Sequence, residues 1–261
     1  VFENARHGHR LKVIARAAPD AIAPHGPAVP DMQLGHFLSM CDDTGLFQHA
    51  VHSVPDRSHG YCVDDNARAM LLACALNSPG EQPLSEVLTA RFAAFVQHAW
   101  NPDTGRFRNF MGFNRTWLEA SGSEDSHART LWALGETARS DATPSRRQWA
   151  AALFAAALST VETFRSPRAW AFTLLGLGAY CAMAPDDLHA QEIRNSLADR
   201  LMSCLASVET PDWVWFEEGL VTSCTSCRIE SRRQEPPKAS ESGPAHRSTR
   251  SPEVESSAKC C

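Results

Sequence analysis

The sequence predicts an all-α fold of stacked helical hairpins, as in an α/α toroid or an α-solenoid, with minor β. Three observations predict it. Apolar residues recur at helical spacing through the long segments between residues 31 and 220. Helices apolar on most faces alternate with narrowly striped ones. Polar loops flanked by aromatic residues precede each of the former.

Taken in chain order, Asp64–Asn77 places Ala67, Met70, Leu71 and Cys74 on one helical stripe. Ser85–Trp100 repeats the pattern with Leu88, Phe92, Phe95, Val96 and Ala99. Glu124–Arg139 carries Ala128, Leu131, Trp132 and Gly135, and Gln148–Val161 carries Trp149, Leu153, Ala157 and Leu158. Ser166-Pro167 is a cap followed by a first-turn proline, opening an apolar helix through Trp170, Phe172, Leu174 and Leu177. Leu188–Leu205 has only a thin stripe of Ile193, Leu197, Leu201 and Leu205. The helices near 64, 124 and 167 are expected inside, and those near 85, 148 and 188 outside, because a helix apolar all round is buried. Stacked α-hairpins arrange themselves this way. Short strands are expected in Arg106–Phe113 and Trp213–Phe216. Asp64-Asp65-Asn66-Ala67-Arg68 is echoed by Glu124-Asp125-Ser126-His127-Ala128-Arg129, with Asp65 and Asp125 60 residues apart.

Composition sets the limits of the domain. The 261-residue chain is 43% hydrophobic and 21% charged, ordinary globular usage. Its formal charge of −5 rules against a nucleic-acid-binding face, which needs basic residues to meet phosphates. No apolar run reaches the roughly 18 residues of a membrane span, and no basic-then-apolar leader opens the chain, so the expected compartment is the cytoplasm. Residues 1–30 read as a basic segment and an Ala/Pro spacer, a linker remnant from an upstream domain. The domain proper spans 31–220. All seven Trp, twelve Phe and two Tyr lie before Val221. The residues 221–261 carry no aromatic, Leu or Met and are expected to be a disordered tail, read as a shifted frame of a GC-rich gene.

Cys224-Thr-Ser-Cys227 lacks the second pair that a zinc site needs, and the body cysteines have no ligand spacing. No metal and no cofactor are expected. No phosphate-cradling glycine loop or nucleophile elbow is present either.

What chemistry there is gathers in the loops before the inner helices. Carboxylates beside Trp and Tyr suit sugars: aromatic faces stack on pyranose C–H surfaces, and acids bond hydroxyls. A carboxylic acid held in a low dielectric keeps its proton and can protonate a leaving oxygen, while a second carboxylate activates water or attacks. The candidate catalytic acids are Asp64, Asp65, Glu124, Asp125 and Glu217. Tyr61, Arg68, Trp117, His127, Arg168, Trp170 and Trp215 are the candidate sugar-contacting residues. Each has a competing structural role. Acids at helix N-termini cap exposed amides, arginines pair with those acids, and a helical histidine is often part of the core. Trp132 and Trp149, at helical spacing, are expected in the core.

Five segments carry a family resemblance: Asp42–Ala50 (DDTGLFQHA), Gly60–Ala69 (GYCVDDNARA), Gly105–Met111 (GRFRNFM), Gly122–His127 (GSEDSH) and Ser166–Phe172 (SPRAWAF). Together they resemble the α-helical domain that follows a glycosyltransferase domain in a group of bacterial sugar-processing proteins. The likeness covers roughly residues 32–220. It implies an (α/α)6 toroid related to six-hairpin glycosidases, found near mannoside-processing genes, of which this chain would hold about four hairpins. It further implies a glycan substrate and a glycosyltransferase as partner. In the glycoside-hydrolysis reading of these residues, Glu124 or Asp125 would be the general acid, with Asp64, Asp65 or Glu217 as the opposing base or stabiliser. A non-catalytic glycan-binding or scaffolding module is the alternative.

Overall fold

The computed structural model describes residues 33–76, 84–210 and 215–216. The expectations for residues 1–30, for the tail 221–261 and for Glu217 lie outside them.

A short helix, α1 (Gly35–Ser39), leads into a β-hairpin of β1 (Phe47–Val51) and β2 (Val54–Cys62). Helices α2 (Val63–Ala75) and α3 (Leu84–Ala99) follow, then the short strands β3 (Trp100–Asn101), β4 (Arg106–Phe107) and β5 (Phe110–Met111). Two further hairpins come next: α4 (Glu124–Ser140) with α5 (Pro144–Leu158), and, after a 3-10 turn at Ser159–Thr163, α6 (Pro167–Met183) with α7 (Leu188–Val208).

Local chemistry sets these boundaries. Ser123, Ser166 and Asp187 cap α4, α6 and α7, their side-chain oxygens accepting from Ser126 N, Ala169 N and Ala190 N. Pro144 and Pro167 open α5 and α6, where a missing N–H costs nothing. Cys62 cannot cap α2. Asn109, just before β5, does so instead, with its carbonyl accepting from Val63 N at 2.8 Å and its Oδ1 accepting from Asp64 N at 3.4 Å.

The expected alternation of helices is present. Inner helices α2, α4 and α6 stand in a row, with α4 packed against both neighbours, while α3 backs α2, α5 backs α4 and α7 backs α6. Helix α4 is buried on nearly every side, from Ser126 to Ala138. Between the layers lie Met70, Phe92, Leu131, Leu134, Phe154 and Leu158, all closed to solvent. Burying each such side chain stabilises the fold by about 1.5–3 kcal/mol. The tightest seam joins α4 and α6. A Cβ on Gly135 would sit 2.3 Å from Gly176 O, and one on Gly176 would sit 2.7 Å from Leu131 O. Only glycine permits that backbone-to-backbone approach.

Two differences from the sequence expectations have physical reasons, and a third point concerns the register of the internal echo. The β1–β2 hairpin pairs antiparallel with β5 beyond β2, although no strand was expected at 47–62. Most of β2 faces solvent and only Gly60, Tyr61 and Cys62 are buried, so the period-two signal is faint. Gly60 is required there: its φ is +64°, and a Cβ would meet Met111 O at 2.2 Å. Second, Trp132 and Trp149 are half-buried and not enclosed. Trp132 lies parallel to Phe172, and Trp149 Nε1 donates to Gln97 Oε1 at 2.6 Å, joining two outer helices. Third, the internal echo has a register of 61. Asp64, Asn66, Ala67 and Arg68 match Asp125, His127, Ala128 and Arg129, each pair 61 positions apart. Three complete hairpins occur among the described residues.

Candidate functional site

The N-terminal turns of α2, α4 and α6 form one rim, linked by side chains from helix to helix. Asp64 Oδ1 meets Arg129 Nε at 2.5 Å, tying α2 to α4. Arg68, one turn further along α2, also pairs with Asp64 and approaches Asp65 Oδ1 at 3.6 Å. On the other side of α4, Asp125 Oδ1 accepts from Ser166 Oγ at 2.6 Å, and Asp125 Oδ2 lies 3.9 Å from Arg168 Nε. Glu124 Oε2 accepts from the backbone N–H groups of Arg165 and Ser166, both at 2.8 Å. Thus four of the five candidate acids share one rim, and the fifth, Glu217, lies outside the described residues.

These four carboxylates are not equivalent. Asp64 is committed to two guanidiniums, and Glu124 to the amides that lead into α6. Asp65 is three-quarters buried. Burial pushes its carboxyl up to about 6, the charge of Asp64 adding to the rise and Arg68 and Arg129 opposing it. Arg129, itself buried, lies over the Phe172 ring at 4.1 Å from its centre, so its position is fixed by packing as well as by charge.

The candidate sugar-contacting residues divide. Arg68 and Arg168 are on the rim. Tyr61 and His127 are not accessible to a ligand, a correction to the sequence reading. Tyr61 is 1% exposed, stacks on Phe47 and donates to Asp42 Oδ2 at 2.6 Å; burial and that bond push its phenol up to about 12. His127 is fully enclosed. Its Nδ1 accepts from Phe107 N at 3.3 Å and its Nε2 bonds Ala157 O at 3.0 Å, while burial, with the charge of Arg106, holds the ring neutral down to about pH 3. Both were predicted as ligand contacts because a polar ring in a polar loop looks exposed in sequence. Trp117 packs on Phe95 and His98, and Trp215 packs edge-on against Phe216. Trp170 turns toward α7, with its Nε1 donating to Phe164 O at 2.9 Å.

Two residues important to the rim were missed as candidates. Asn109 is buried and its Oδ1 accepts from Ser126 Oγ at 2.7 Å and Cys62 Sγ at 3.2 Å, as well as from Asp64 N, so one amide joins the entrances of α2 and α4. Glu119 holds that strand in turn, its Oε1 accepting from Asn109 N and Phe110 N at 2.6 Å each. Their signal was present as polar residues inside the motif-bearing segment 105–127. No group of three metal-binding side chains occurs among the described residues, and no described helix is long and apolar enough to cross a membrane.

No family model matches the chain, and no curated protein matches it. Among solved structures it is similar to a polysaccharide lyase, with a TM-score of 0.45 at 14% identity over 61% of this chain. The chain spans 52% of the length of that lyase.

Proposed function

We propose that this chain is a carbohydrate-active helical domain whose site is the rim above α2, α4 and α6. In this reading the three hairpins are part of an (α/α)6 toroid. The chemistry is glycoside-hydrolase-like acid/base work on a glycan, a mannoside being the first candidate, in association with a glycosyltransferase. The observation that carries the reading is Asp65, a carboxyl raised to about 6 on a rim it shares with three other carboxylates.

A group with that affinity holds its proton for part of the time near neutral pH and can deliver it. Asp65 would donate its proton to the glycosidic oxygen as the bond from the anomeric carbon to that oxygen breaks. Asp125, oriented by Ser166 and Arg168, would take a proton from the water that attacks that carbon. Asp64, paired with Arg68 and Arg129, would hold those guanidiniums in place beside the sugar hydroxyls. This assigns the acid to Asp65, where the sequence pointed to Glu124 or Asp125, because Glu124 is occupied by two backbone amides.

The test is release of reducing ends from mannan, xylan, glucan and pectin oligosaccharides by the full chain. Asp65→Asn is expected to lose at least about a hundredfold of any activity, the usual contribution of a general acid. Full activity in that variant refutes the assignment. The second reading, a non-catalytic glycan-binding module serving a glycosyltransferase, is favoured by the ion pairs that occupy Asp64. It stands if wild type and Asp65→Asn bind oligosaccharide equally and neither turns it over.

A further inference from the structure

Three sides of helix α4 are taken by its neighbours. His127 Nε2 bonds Ala157 O in α5, Thr137 Oγ1 meets Cys74 Sγ of α2 at 3.4 Å, and Gly135 abuts Gly176 of α6. The fourth side carries Asp125, Arg129, Trp132, Glu136 and Arg139, which follow one another at steps of three and four along a single helical stripe. On α6, Arg168, Phe172 and Leu175 fall on the same side, where Phe172 lies parallel to Trp132 with ring centres 6.1 Å apart. This face is open: Leu175 is half exposed, as are the side chains of Arg68 on α2 and Arg139 on α4. In the toroid reading, further hairpins would stack beside α6 and α7, whereas this side of the inner helices looks into the central hollow. Trp132 stands on it below the rim, seven residues and about 10 Å down α4 from Asp125.

We propose that Trp132 is the stacking platform of a second sugar position, so that the site takes the end of a neutral pyranose chain, one ring lying beyond the bond at the rim. The proposal rests on the reading of the rim as a glycan site and adds to it the depth of the site and the charge of its ligand. Three observations support it. The indole is oriented before a ligand arrives, because Trp132 lies against Phe172, which in turn carries the Arg129 guanidinium 4.1 Å from its centre. A rigid aromatic face is thus offered at little entropic cost. Next, the surface changes along the face as a sugar chain requires. Carboxylates and guanidiniums at the rim suit hydroxyls, and the band of Trp132, Phe172 and Leu175 below them suits the C–H face of a ring. Finally, the cations of this face have carboxylate partners. Arg68 and Arg129 pair with Asp64, Arg168 lies 3.9 Å from Asp125, and Arg139 bonds Glu136 at 2.6 Å. Guanidiniums already matched to acids give no preference to a uronic or sulfated sugar, so a neutral ring is favoured.

The experiment is calorimetric titration of the full chain with manno-, xylo-, cello- and malto-oligosaccharides, from the monosaccharide to the hexasaccharide. Wild type is expected to bind at least one of these series, with affinity rising about tenfold once the chain is long enough to reach Trp132. Trp132→Leu keeps an apolar contact with Phe172 but removes the ring. It is expected to lose that gain while binding the shortest members as wild type does. Trp132→Phe is expected to retain most of the gain, and Asp65→Asn all of it. Wild-type affinity that does not depend on chain length overturns the proposal whatever the variants do. So does a Trp132→Leu protein of unchanged melting temperature that binds the longer chains like wild type, and so does binding to none of the series. Turnover judges the rim separately. Length-independent binding with turnover that Asp65→Asn abolishes removes the platform and leaves the rim; length-dependent binding with Asp65→Asn fully active does the reverse.

Discussion

Helix α6 contains two glycines, two positions apart, whose replacement by alanine should act in opposite directions. A Cβ at Gly176 would lie 2.7 Å from Leu131 O and 2.9 Å from Leu131 C and Trp132 Cα. All three are backbone atoms of α4, so no side chain can swing away. Bringing the nearest contact to an ordinary 3.4 Å requires the helices to part by roughly 0.7 Å along their tightest seam. At Gly178 nothing lies within 4 Å. Alanine gains about 1 kcal/mol of helix propensity at either position. The difference between the two variants therefore isolates the packing cost. Forcing a methyl group into a packed interior costs about 1–3 kcal/mol, and a backbone obstacle puts this case at the upper end. For a domain of this size each kcal/mol shifts Tm by about 2–4 °C. Gly178→Ala is expected to melt slightly above wild type, and Gly176→Ala about 6–12 °C below Gly178→Ala, followed by circular dichroism at 222 nm. Melting of the two variants within a degree of each other would refute backbone contact between α4 and α6.

Three further outcomes follow from the charged groups. The folded state holds a proton on Asp65 between pH ~4 and ~6 that the unfolded chain has released, so this residue makes stability fall as pH rises through that window. Asp65→Asn should remove the fall and gain up to about 3 kcal/mol at pH 7 over pH 4; equal urea midpoint differences at both pH values would contradict it. His127 works the other way, since its folded affinity lies below the usual 6.5 and the unfolded chain takes up the proton first. Stability is therefore lost as pH falls from 6.5 toward 3, and His127→Gln should show a shallower acid unfolding curve by tryptophan fluorescence. Arg146 bonds the enclosed Asp141 at 2.6 Å and the more exposed Glu86 at 2.7 Å. Arg146→Met strands a buried carboxylate and should cost about 3–5 kcal/mol, whereas Glu86→Ala should cost no more than about 1 kcal/mol; similar losses from both, in urea titrations, would contradict this account.

The helices were legible because their signals are local. Ala128, Leu131, Trp132 and Gly135 repeat at helical spacing, and Ser166-Pro167 marks a start that no tertiary contact has to supply. The inner and outer layers were legible for a related reason: α4 is apolar or small-residue-rich around its circumference, and α7 is not. The hairpin at 47–62 was hidden, since its pairing with β5 depends on contacts across some 50 residues and its exposed half carries no alternation. On the rim, the clustering of Asp64, Asp65, Glu124 and Asp125 was readable from their common place at helix starts. Their division of labour was not. That Glu124 bonds amides while Asp65 stays half-paired depends on how the loop 159–166 folds back over α4. Burial of Tyr61 and His127 was equally invisible, because nothing in the local sequence says which side of a loop faces the core.

Asn66 and His127 occupy matching places in their helices, and each reaches back to grip the chain that precedes it. Asn66 Oδ1 accepts from Leu46 N at 2.8 Å while its amide donates to Leu46 O and Cys62 O; His127 Nδ1 accepts from Phe107 N. Both approach segments are thus stitched to the scaffold in part by a side chain reaching back from the helix that follows, independent of what their outward-facing residues are. Surface positions along those segments can then be rewritten freely, and a new ligand preference acquired, without the main-chain path coming undone.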